Sequence, residues 1–176
     1  RKIEKNKKGN KEFNKIWRKV QYGYEEAVDF LVNHLKVKHP RLLPYTNIYT
    51  MLAFFFALNN SRAKPNQLRE IKKWFWHTVC SERYSGAAFN RNIPEDIKFF
   101  RKLTKSTNAK YVISEKANPV DFLRSDYRKS SSSSIAYFIL LRNKKPLYLA
   151  NGQEIILESP YDLWNIMVII NPKIQE

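Results

Sequence analysis

Residues 65–86, PNQLREIKKWFWHTVCSERYSG, constrain this chain more than any other stretch. Trp74, Phe75 and Trp76 stand in a row there, and side chains of that size dominate whatever interior they enter. Pro65 suits a first helical position, where the N–H it lacks has no partner to lose. Leu68, Ile71, Phe75 and Val79 follow at helical spacing, widened by Trp74 and Thr78. Trp76 lies off that stripe, so the helix touches neighbours on more than one side and is expected near the centre of a bundle. Ser85 and Gly86 mark its end.

The segments before it also read as helical. From Lys11, the apolar positions Phe13, Ile16, Trp17, Val20, Tyr24, Ala27, Val28, Leu31 and Leu35 step by three or four. That spacing predicts one long amphipathic helix, or two nearly collinear ones joined near Gly23. Residues 1–10 are polar and charged, a basic tail or cut end. The His39-Pro40 and Leu43-Pro44 pairs force an extended link. Asn47 is the expected cap of a second helix over 48–59, apolar on all sides and therefore buried.

Beyond the tryptophan helix the signals weaken. Asn92 is placed to cap a helix opening at Ile93-Pro94-Glu95-Asp96, with Arg101, Lys102 and Lys105 suiting its C-terminal dipole. Residues 104–118 read as a linker carrying Tyr111-Val112-Ile113, and Asn118-Pro119 opens a short helix through Phe122 and Leu123. The serine run 130–134 caps an apolar helix over 135–141, with phosphate binding a minority reading. Asn151-Gly152 is a hairpin-turn dipeptide flanked by 146–149 and 154–157. Pattern does not separate helix from strand over 161–170.

Charge narrows the function. Lys and Arg outnumber Asp and Glu by 32 to 16. Residues 1–110 hold 24 basic and 9 acidic side chains, against 8 and 7 in the remainder. A polyanion facing the first two thirds, most often nucleic acid, is the expected partner. Cys80 is the only cysteine, so no internal disulfide forms and a secreted fold is not indicated. No signal peptide is recognisable, and the longest apolar run is well short of the roughly 20 residues a membrane span needs. A cytoplasmic protein with no membrane partner is expected.

The chemistry-bearing residues point to binding more than to catalysis. The four glycines lie too far apart for a phosphate-cradling loop. His77 and Cys80 share a helix face, but no second ligand pair follows, so neither a metal nor another cofactor is implied. Glu25 and Asp29, four apart on one face, fit a hard cation or acid–base work, with solvated ion pairing as the common alternative. The basic residues say more. Lys72 and Lys73, with Arg69 one turn away, form an outer face suited to phosphates, and Lys15, Arg18 and Lys19 form a second stripe. Arg83, beside Tyr84 and Ser85, offers a fork donor for a phosphate or, equally, for the local architecture of the helix end.

Several segments resemble the GmrSD-like restriction proteins. They are Tyr24-Glu25-Glu26-Ala27-Val28-Asp29-Phe30-Leu31, Arg41-Leu42-Leu43-Pro44-Tyr45, residues 52–56 and Lys73-Trp74-Phe75-Trp76. Ser81-Glu82-Arg83-Tyr84-Ser85-Gly86, Asp96-Ile97 and Asn151-Gly152-Gln153-Glu154-Ile155 continue the match in order over roughly residues 20–157. The resemblance implies a modular DNA-targeting protein of phage defence, in which a helical middle region joins a ParB-like domain to a histidine-metal nuclease domain. The ParB-like signature Asp-Gly-Gln-Gln-Arg occurs nowhere in this chain. Where the nuclease motif His-His-Ile-Phe-Pro belongs, the chain reads Val168-Ile169-Ile170-Asn171-Pro172-Lys173, and neither valine nor isoleucine supplies an imidazole. No catalytic residue carries over.

The expectation is therefore a mainly α fold: a single helical domain over 11–176, of about seven helices with one small β-hairpin, belonging to a larger protein. Its expected role is a DNA-contacting and coupling module of a restriction system, partnered by flanking domains or a subunit and without nuclease activity of its own. The alternatives are a structural spacer or oligomerisation module without nucleic-acid contact, and a nuclease using Glu25 and Asp29 with a divalent ion.

Overall fold

The computed structural model describes residues 7–59, 61–113, 131–148 and 151–156, with side chains from residue 11 onward. The fold over these residues is mainly α: α1 Lys7–Leu35, a 3-10 turn Pro40–Leu42, α2 Thr46–Asn59, α3 Pro65–Cys80, α4 Ala88–Lys105 and α5 Ser132–Asn143. The expected helix at 119–123 and the apolar stretch 161–170 lie outside the described residues.

The tryptophan helix holds the centre, as its spacing predicts. Ile71, Trp74, Phe75, Thr78 and Val79 of α3 are fully buried, and Trp76 is half-buried. Trp74 packs edge-on against Phe100 of α4, ring centroids 4.8 Å apart, and against Tyr84 at 6.2 Å. Pro65 takes the first helical position after Lys64. Gln67 then closes the helix start: its Oε1 accepts the Lys64 N–H at 2.9 Å, while its Nε2 donates to the Leu103 carbonyl at 2.9 Å. One side chain thus ends the α2–α3 turn and joins it to α4.

Helix α1 runs unbroken through Gly23, which serves close approach, not a joint. A Cβ at Gly23 would run into the Ala53 carbonyl oxygen and come within 2.8 Å of the Ala57 Cβ, so α2 lies directly against this turn of α1. Phe30 meets Phe56 at 6.1 Å, and the Tyr49 hydroxyl donates to the Tyr24 carbonyl at 3.4 Å. After Leu35, left-handed Lys36 (φ 60°) reverses the chain, and the Val37 N–H reaches the Leu31 carbonyl.

The link that follows is extended at His39 and Leu43, the residues before the prolines, with a 3-10 turn between them. Helix α2 starts at Thr46, so Asn47 lies inside it and is not its cap. Leu58 of α2 is exposed, an exception to its expected burial on every side.

Two further expectations change. Helix α4 begins at Ala88, not at Ile93, and carries Pro94 in its interior. Asn92 is no cap; it is buried and donates its Nδ2 to the Arg83 carbonyl at 2.9 Å, tying the loop after α3 onto α4. The hairpin is not built as strands: among the described residues there is one antiparallel bridge, Leu147 to Glu154, with Gly152 at φ 69° in the turn. The serine run does cap a helix. Ser131 Oγ accepts the Ser134 N–H at 3.2 Å, and α5 extends to Asn143, whose Nδ2 donates to the Leu35 carbonyl at 2.9 Å.

Candidate nucleic-acid interface

The loop after α3 and the start of α4 form a buried polar network. Arg83 Nη2 donates to Asp96 Oδ1 at 3.0 Å and lies 3.6 Å from Glu95 Oε2, while the Tyr84 hydroxyl donates to Asp96 Oδ2 at 2.6 Å. The Arg83 side chain is 2% exposed and that of Asp96 1%. Burial disfavours the charged guanidinium, but Asp96, Tyr111 and Glu95 together outweigh it and raise the Arg83 pKa. Burial, reinforced by the Asp96 charge, also pushes the Tyr84 phenol far up, so it stays a donor at any ordinary pH. Arg83 thus holds its Nη2 against the Asp96 and Glu95 carboxylates in the interior, which favours the local-architecture reading over a phosphate contact.

Beside this network lies a cavity of about 320 Å³ lined by Arg83, Lys98, Lys102, Lys110, Phe99 and Tyr111, with Glu95, Asp96 and Val112 completing the wall. Tyr111 is fixed from several sides. Its N–H donates to Glu70 Oε2 at 2.8 Å, its carbonyl accepts Lys73 Nζ at 2.9 Å, and its hydroxyl lies 2.8 Å from His77 Nδ1. Burial drives the Tyr111 phenol pKa upward. The chain 106–113 is thus bolted to α3, and Lys110 is carried to the cavity rim.

The wider surface beside the cavity is the exposed face of α4, where Lys98, Arg101, Lys102 and Lys105 recur three and four residues apart. Like charges at these spacings destabilise a helix by roughly 0.2–0.5 kcal/mol per pair. Their attraction to the C-terminal dipole offsets part of that. A face held against its own repulsion is suited to a polyanion. The spacing of these cations is visible in the sequence; what the sequence does not show is that Lys110 arrives at the same cavity.

The other expected cations fall in two places. Lys15, Arg18 and Lys19 are exposed on the first turns of α1 and have no carboxylate partner among the described residues. Arg69 is exposed but lies 3.4 Å from Glu70, and Lys72 is half-buried. Around His34 a third group forms: burial lowers the His34 pKa first, followed by the charges of Lys72, Lys36 and Arg62. From Lys19 to His34 is roughly 22 Å of helix at 1.5 Å per residue, with Glu25, Glu26 and Asp29 between. The structure does not gather the α1 and α3 stripes on one continuous face.

Glu25 and Asp29 are both exposed on α1, and among the described residues no three His, Cys, Asp or Glu side chains group closely enough to hold an ion. His77 faces Tyr111, and Cys80 is half-buried with its thiol pKa raised by burial. Among the described residues, no helix is long and apolar enough to cross a membrane.

No protein-family model, curated protein or solved structure matches this chain.

Proposed function

We propose that this chain is a basic helical DNA-contacting and coupling module of a GmrSD-like restriction system, acting in the cytoplasm and without nuclease activity by itself. The observation that carries the proposal is the cationic surface of Lys98, Arg101, Lys102 and Lys105 on α4, continued by Lys110 at the rim of the Tyr111 cavity. These are flexible cations on a rigid helix, without a matching set of base-reading amides. That composition fits phosphate contact with tolerance of sequence. Coupling fits the same architecture. The loop after α3 is joined to α4 through Arg83, Asp96 and Asn92, so a load on α4 is transmitted to the central helix. Lys15, Arg18 and Lys19 stand on α1, a separate helix, and are not needed for this reading.

The test is a titration of duplex DNA with the 176-residue chain across a salt series. Binding should be tolerant of sequence, with log K falling by roughly 0.9 per phosphate contact per log unit of salt. Affinity indifferent to ionic strength, or no binding at low salt, would remove the proposal. Charge reversal at Lys98 and Lys102 should abolish most of the affinity; if it leaves binding intact, the α4 face is not the interface.

A further inference from the structure

The first turns of α1 carry a feature that DNA contact on α4 leaves unused. From Val20 onward the apolar stripe of α1 is packed inward except at Val28, but its earlier turns are not: Phe13 is 64% exposed, Ile16 56% and Trp17 51%. Phe13 and Trp17 stand parallel, ring centroids 6.3 Å apart with 9° between planes, so the ridge is continuous over a full turn. Lys11, Lys15, Arg18 and Lys19, all exposed, occupy the opposite side of the same turns. Glu12 is the one acidic residue among positions 11–20.

We propose that residues 11–20 of α1 lie on an anionic lipid surface, with Phe13, Ile16 and Trp17 entering the headgroup–acyl boundary and the cations meeting lipid phosphates and carboxylates. A basic polar face opposite aromatic and branched apolar residues is the arrangement that settles in a bilayer interface. Long lysine and arginine stems snorkel from such a helix to the headgroups, and each cation near an anionic leaflet adds attraction. A spanning length is required of a helix that crosses a bilayer, not of one that lies in its surface.

Two other occupants fit less well. A nucleic-acid strand presents bases and phosphates within a few ångströms of one another, whereas the rings and cations here point to opposite sides of the helix. A second copy would bury the ridge alone. Aromatic side chains span roughly 150–250 Å² each, so three residues about half exposed offer on the order of 300 Å² per copy, well under the ~800 Å² per partner of a standard interface.

Co-sedimentation of the 176-residue chain with vesicles tests this. Vesicles of phosphatidylcholine containing one third phosphatidylserine should bind at least about ten-fold more chain than pure phosphatidylcholine, and the difference should shrink as salt rises. The double substitution Phe13→Ala/Trp17→Ala should cut that binding about ten-fold while helicity by circular dichroism and affinity for duplex DNA stay unchanged. The triple substitution Lys15→Gln/Arg18→Gln/Lys19→Gln should remove the preference for anionic vesicles. Equal binding to both vesicle types, or none to either, overturns the proposal. So does a concentration-dependent dimer that Phe13→Ala/Trp17→Ala dissolves, or a loss of DNA affinity in that variant, since the ridge would then serve another partner.

Discussion

Arg83 and Lys98 line the same cavity with the same charge and have opposite fates. Arg83 is buried between Asp96 and Glu95, while Lys98 stands in solvent on a helix face crowded with its own kind. The difference is made by which carboxylate lies in the interior. Asp96 is buried and its two oxygens are taken by Arg83 and Tyr84, so it does not neutralise the α4 surface, where the exposed Glu95 stands against four cations. A cation in a sequence is thus either half of a core contact or an offer to a ligand, and only the placement of its counter-ion distinguishes the two.

That contrast can be broken most forcefully from the inside. Asp96→Ala strands a buried guanidinium and should destabilise the fold by about 3–5 kcal/mol in urea unfolding. A loss under about 1 kcal/mol would show that Arg83 reaches solvent and belongs with the surface cations. Tyr84→Phe removes one charge-assisted hydrogen bond and keeps the ring packing, so a smaller loss of about 1.5–3 kcal/mol is expected. Lys98→Gln/Lys102→Gln should behave in the opposite way, reducing the salt dependence of DNA binding by about two contacts. Its effect on stability should be neutral or favourable by a few tenths of a kcal/mol as repulsion along α4 is relieved.

His34 offers the mildest case, half-buried between the two extremes. Its folded pKa is lowered by burial and by Lys72, Lys36 and Arg62, so the unfolded chain binds the proton more readily. The contribution of His34 is therefore fully present above its ordinary pKa and is lost as pH falls from there through the lowered folded value. Thermal unfolding should show a small decline on acidification below about pH 6.5, flattened in His34→Gln. An identical decline in the variant would assign the effect to other groups.

The parts of the fold legible in sequence were those decided locally. Pro65 and the Leu68–Ile71–Phe75–Val79 spacing place α3, and Ser131 caps α5, because neither depends on a distant partner. The start of α4 was misread for the converse reason. Asn92 followed closely by Pro94 has the form of a cap and an opening turn, but the Asn92 amide is claimed by the Arg83 carbonyl, and that tertiary contact holds helical backbone in front of the proline. The candidate interface was legible in part. Lys73 is conspicuous in the sequence and bonds the Tyr111 carbonyl, whereas the place of Lys110 depends on how Glu70, Lys73 and His77 pin Tyr111.

Gly23 sets a limit on how this chain can vary. Since even a methyl group there meets the backbone of the neighbouring helix, a saturation scan should read as a single tolerated letter flanked by permissive columns at the solvent-facing Gln21 and Glu25. Any lineage that abandons glycine at that point must also re-space two helices, so drift along the rest of the molecule proceeds around a fixed pivot.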